Sequence, residues 1–228
     1  GYLSLFANTT ASNNTAVGTS SLTANTTGNE NVSVGTNSLL TNTTGSSNTA
    51  VGKDSLCLNQ TGGTNTAIGH SALKKNTASS NTAVGYLSLV QNTTGTSNVA
   101  IGCGALDANT TADKNTAVGR QSLTTNTTGC FNTAVGESAM AANTTADRNT
   151  AVGMSALLSN TTGCCNTSIG QGTLAANSTG DNNVAVGVLA LTANTTASNN
   201  TAVGTCALIT NTTGCFNIAV GSTAMQNN

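Results

Sequence analysis

One histidine, seven carboxylates and seven thiols are the groups in this 228-residue chain best equipped for acid-base, nucleophilic or metal chemistry. A hydrolytic triad or a metal centre needs several of them converging on one point. His70 instead follows Gly69 at a position that elsewhere holds Tyr86, Arg120, Glu137 or Met154, and it reads as a surface substituent. The acids are scattered too, and the pairs Asp113-Lys114 and Asp147-Arg148 read as solvated neighbouring charges of little energetic weight. The chain is therefore expected to be non-enzymatic, with no cofactor and no metal site. A formal net charge of −1 with six basic residues gives no nucleic-acid footprint. No apolar run is long enough to span a membrane.

The cysteines are less evenly spread. Cys130, Cys164 and Cys215 each follow a turn glycine in "GCF", "GCC" and "GCF", with Phe131, Cys165 and Phe216 next, while Cys57, Cys103 and Cys206 sit elsewhere. Two readings stay open. Cys and Phe make a lateral contact or inter-chain disulfide between neighbouring molecules, or Cys stands in for Ser while Phe covers a turn. The odd count leaves at least one thiol unpaired or shared between chains.

A third chemistry is written in "NTT". Asn8, Asn25, Asn42, Asn59, Asn92, Asn109, Asn126, Asn143, Asn160, Asn177, Asn194 and Asn211 all satisfy Asn-x-Ser/Thr, as do Asn13, Asn31, Asn166 and Asn199. In a secreted protein such a row would clothe one edge in sugar. A turn that simply favours Asn and Thr would look the same.

What positions these groups is a repeat. Glycines at 1, 18, 35, 52, 69, 85, 102, 119, 136, 153, 170, 187, 204 and 221 mark a period of 17 residues, broken once by a 16-residue interval after Gly69. The missing residue falls in "KKNTASSN", a turn segment. A fixed period of this size marks a stacked-repeat architecture. Before each glycine stand Thr or a β-branched aliphatic, then Ala or Ser, then Val or Ile, as in "TAV" at 116–118. That alternation is a short strand, with the glycine as its corner. A second short strand is expected at the "SL" segment, where Leu or Met stands four residues after every glycine. "NTTG" supplies the turn. The expected fold is all-β, a parallel β-solenoid of about thirteen coils over residues 1–228, laterally associated and forming a single repeat array.

Stacked at strand spacing, about 4.8 Å per coil, like residues form columns. One asparagine ladder runs from Asn14 through Asn31 and Asn48 to Asn217, and another from Asn8 to Asn228. At that spacing Cys130, Cys164 and Cys215 lie about 10 to 14 Å apart, beyond the roughly 7 Å a disulfide allows. About three inward aliphatics per coil, worth roughly 1.5–3 kcal/mol each, face an ordering cost of about 1–2 kcal/mol per residue. So thin a core predicts lateral association, most simply as a three-fold bundle with the small outward column (Ala16, Ala117, Ala134, Ala202) toward the partner.

The strand phrases "NVAIG" at 98–102 and "NVAVG" at 183–187 resemble the "NSVAIG" repeats in the heads of trimeric autotransporter adhesins, and similar repeats occur in tail-fibre and surface-fibre proteins. The resemblance implies a left-handed parallel β-roll, a homotrimer or filament, a cell-surface or virion-surface location, and a host-surface or matrix ligand. The functional expectation is an extracellular structural protein that builds a surface fibre, with an adhesive role. The alternative is ligand binding by a repetitive face, ice above all. That alternative needs a Thr column on a flat strand, whereas the paired Thr of "NTT" adjoins a turn. The chain opens on a corner glycine and stops at Asn228 within a repeat, as expected of a segment of a longer array.

Overall fold

The computed structural model describes residues 1–227; the Asn228 end of one expected ladder lies outside them. The chain divides into two compact units, Gly1–Lys114 and Asn115–Asn228, and both are β-solenoids built from the same coil. In the first unit, β1 (Thr15–Val17), β2 (Val32–Val34), β3 (Thr49–Val51), β4 (Thr66–Ile68), β5 (Thr82–Val84) and β6 (Val99–Ile101) pair in sequence order, all parallel. The second unit stacks β7 (Thr116–Val118), β8 (Thr133–Val135), β9 (Thr150–Val152), β10 (Thr167–Ile169), β11 (Val184–Val186), β12 (Thr201–Val203) and β13 (Ile218–Val220) likewise. Register sets like on like: Thr116 pairs with Thr133, Ala117 with Ala134 and Val118 with Val135.

The strand faces are the reverse of the sequence expectation. Ala117, Ala134 and Ala202 are fully buried inside their own coils, and Ala16 of the terminal coil is half-buried, so this column is core and not a lateral contact. The Val and Ile beside it point outward. Steric room decides the matter. Between the terminal repeats the Leu or Met of each coil, for example Leu22, Leu123 or Leu191, is fully buried and fills the interior opposite the strand, leaving space for a methyl or hydroxymethyl group only. Where both facing positions are polar they bond to each other, as Ser21 Oγ does to Ser33 Oγ at 2.7 Å and Ser168 Oγ to Thr173 Oγ1 at 2.6 Å. One aliphatic per coil is thus buried, with small residues around it, rather than about three.

The "SL" segment is not a second strand. Its residues turn through the left-handed region, with φ +54° at Ser20 and +53° at Leu22, +56° at Gln121 and +51° at Leu123. Each such L-residue costs about 1–2 kcal/mol of local strain, offset by burial of the side chain and by cross-coil bonds such as Leu22 N to Ser38 O at 2.9 Å. A β-branched side chain at positive φ is a far worse fit. That is why Leu or Met, never Val or Ile, holds this position. The corner glycine has an equally local cause: Gly136 sits at φ +137°, and a Cβ there would lie 2.5 Å from the Gly153 carbonyl oxygen.

Candidate functional site

The surface that stands apart is the outer face of the strands. It carries two columns, Thr, Val or Ile at the first strand residue and Val or Ile at the third, and none of the six basic or seven acidic residues lies on a strand. The outward aliphatics stay accessible: Ile68 and Ile169 are each 40% exposed and Val17 56%. Thr49, Thr66 and Thr82 in the first unit, and Thr133, Thr150 and Thr167 in the second, are half-buried, and their hydroxyls make no hydrogen bond among the described residues. A Thr column thus lies on the strands as well as in "NTT", interrupted by Val32, Val99, Val184 and Ile218.

One border of this face lies two or three residues before each strand. Phe131 and Phe216 are exposed there, as are Cys165 and Cys215, while Cys130 and Cys164 are partly covered. In this column backbone N–H groups donate to the side chain one coil further on where that side chain can accept: Cys164 N to Asp181 Oδ1 at 2.7 Å, Asp147 N to Cys164 Sγ and Ser198 N to Cys215 Sγ, both at 3.4 Å. Sulfur here does the work of the Ser or Asn found in other coils, as a weak acceptor. Cys57 lies elsewhere and is buried; burial foremost, then the Asp54 charge, pushes its thiol pKa up, with Lys74 opposing.

In the "NTT" row burial speaks against glycosylation, whereas Asn13 and Asn199, which also satisfy the motif, are exposed. Asn25, Asn42, Asn59, Asn92, Asn109, Asn126, Asn143, Asn160, Asn177 and Asn194 have no exposed surface, and Asn211 has 2%. Their amide nitrogens are already committed: Asn177 Nδ2 donates to Asn160 Oδ1 at 2.9 Å and to the Gly180 carbonyl at 3.0 Å. Even Asn8, half-buried in the first coil, donates to Ala11 O at 3.0 Å. A sugar on that nitrogen would remove the rung and has no space. The second column works differently, Asn183 N donating to Asn166 Oδ1 and Asn183 Nδ2 to Ala197 O, both at 2.9 Å. Both columns are internal scaffolding, and the regular presence of Asn in nearly every coil is the signal that distinguishes a ladder from a decorated edge.

His70 lies on the surface, stacked on Tyr86 with ring centroids 5.5 Å apart. Arg120 pairs with Glu137 in the same column, and Lys74 lies 3.7 Å from Asp54. Among the described residues no cavity opens, no group of His, Cys, Asp and Glu gathers to hold a metal, and no helix is long and apolar enough to cross a membrane. Compared with protein-family models, curated proteins and solved structures, the chain has no match.

Proposed function

We propose that this chain is a non-enzymatic extracellular structural protein whose coils associate side by side into a surface fibre, as a homotrimer or filament, with an adhesive role. The observation that carries the proposal is the charge-free Thr/Val/Ile face of the strands. β-branched side chains in two fixed columns form a stiff surface, and a second copy offers the same columns at the same pitch. Covering that face adds the apolar burial that one leucine per coil does not supply. Cys130, Phe131, Cys164, Cys165, Cys215 and Phe216 border the same face and are placed to extend the contact, by packing or through inter-chain disulfides. The variable, charged positions lie in the turns, where a host-surface or matrix ligand would meet the fibre. The resemblance to the head repeats of trimeric adhesins points the same way.

Sedimentation velocity of the chain at micromolar concentration tests this. The wild type is expected to sediment as an oligomer, and a Val152→Lys/Ile169→Lys variant as a monomer with unchanged circular dichroism. A wild type that stays monomeric sinks the proposal.

The Thr column favours a second reading, in which the same face orders water and binds ice. Clear thermal hysteresis from a monomeric chain would establish that reading in place of the first.

A further inference from the structure

The 16-residue coil between Gly69 and Gly85 breaks the internal ladder as well as the period. At other joints of the first unit the first-column asparagine reaches back one coil: Asn42 Nδ2 to Asn25 Oδ1 at 2.9 Å, Asn59 Nδ2 to Asn42 Oδ1 at 2.9 Å, Asn92 Nδ2 to Asn76 Oδ1 at 2.7 Å. Asn76 does not. With one residue of the turn deleted, its amide closes on Ala78 O, two residues on, at 2.7 Å, where Asn42 closes on Gly45 O, three residues on. Asn59 Oδ1 is thereby left as the one buried side-chain polar atom without a partner among the described residues.

The backbone repeats the loss. Thr43 and Thr44 both donate to Gln60 O, at 2.9 and 3.2 Å, and Thr93 and Thr94 both donate to Thr110 O. Their counterparts Gln60 and Thr61 make no such bond to Thr77. Bonds that remain around the joint flank the gap: Leu58 N to Lys74 O at 2.9 Å, Ser80 N to Gly63 O at 3.0 Å and Gly63 N to Ser79 Oγ at 3.0 Å.

We infer that this joint, between residues 59–62 and 76–78, is a built-in yield point at which the first unit opens before its other coils. An orphaned buried acceptor and missing cross-coil bonds lower the cost of separation there. In a fibre it would fix where the stack gives under heat or tension, whichever surface the fibre uses to associate.

Hydrogen exchange with residue-level mass spectrometry on the whole chain tests the inference. The flanking amides of Leu58 and Ser80 are compared with those at the same coil positions in earlier repeats, Thr41 one repeat before Leu58 and Ser47 two repeats before Ser80, which are also bonded across coils. At about fivefold per missing bond, Leu58 and Ser80 are expected to exchange at least about tenfold faster. Inserting one Thr after Thr77, which restores the 17-residue interval, is expected to bring them to the rate of Thr41 and Ser47. Equal rates in the wild type overturn the inference, and so does a folded insertion variant whose Leu58 and Ser80 still exchange as fast.

Discussion

Replacing Asn177 with Asp changes one buried NH2 group for an oxygen and tests whether the asparagine ladder holds the coils together. Asn177 Nδ2 donates to Asn160 Oδ1 and to Gly180 O, and its Oδ1 accepts from Asn194 Nδ2 at 2.9 Å. In Asn177→Asp both donations become encounters between acceptors. Gly180 O keeps its bond from Asn166 Nδ2 at 2.8 Å, whereas Asn160 Oδ1 is left with nothing. Two lost bonds at about 1 kcal/mol each, plus about 1–3 kcal/mol for the orphaned oxygen, give a penalty of about 3–5 kcal/mol with the carboxylate ionised. Protonation restores one donor and removes the charge, so much of the penalty is tied to ionisation. At 1.36 kcal/mol per unit, about 3 kcal/mol of that kind moves the folded-state pKa up about two units, to near 6. The raised folded-state value fixes the sign. The variant approaches wild-type stability below the unfolded pKa of about 4 and loses it as pH rises through the folded value. Thermal and urea midpoints of both proteins from acid to neutral pH read this directly. A variant within about 0.5 kcal/mol of wild type at neutral pH, the range of an ordinary surface change, would refute the reasoning, as would a loss that does not vary with pH.

Three further outcomes follow from local geometry. Gly136→Ala meets both a φ of +137° and a carbonyl oxygen 2.5 Å from the new Cβ; a loss of about 2–3 kcal/mol or more is expected in urea titration, against near-neutrality if the corner were free to shift. Leu123→Ile keeps volume and would ordinarily cost under about 1.5 kcal/mol, but at φ +51° it is expected to exceed that limit, and a cost under it would show that the left-handed turn does not select Leu. Burial raises the Asp107 pKa, so the wild type is favoured below the unfolded value and loses that contribution as pH rises through the folded one; Asp107→Asn is expected to raise the melting midpoint at neutral pH and leave it unchanged in acid.

The period, the glycine corner, the strand positions, the asparagine columns and the turn location of the deletion are all legible in the sequence, because each depends on residue type repeating at a fixed phase. The direction of the strand is not. In Thr116–Val118 an alternation of two assigns Ala117 to one face and Thr116 with Val118 to the other, but does not say which is inside. Hydrophobicity alone favours Val inside; the steric limit set by Leu123 across the coil puts Ala117 there. The left-handed turn had a signal, since all fourteen glycines of the period are followed four places on by Leu or Met and none by a β-branched residue. The missing rung had none, because it depends on whether Asn76 closes on the second or the third residue ahead, which only the folded turn decides.

The outer face of the strands carries the account, and electron cryo-microscopy of the purified chain, at a resolution that separates neighbouring coils, tests it most directly. The account predicts several chains in cross-section, with the columns of Ile68, Val135 and Ile169 at their mutual contact. Single solenoids with that face bare to solvent would contradict it.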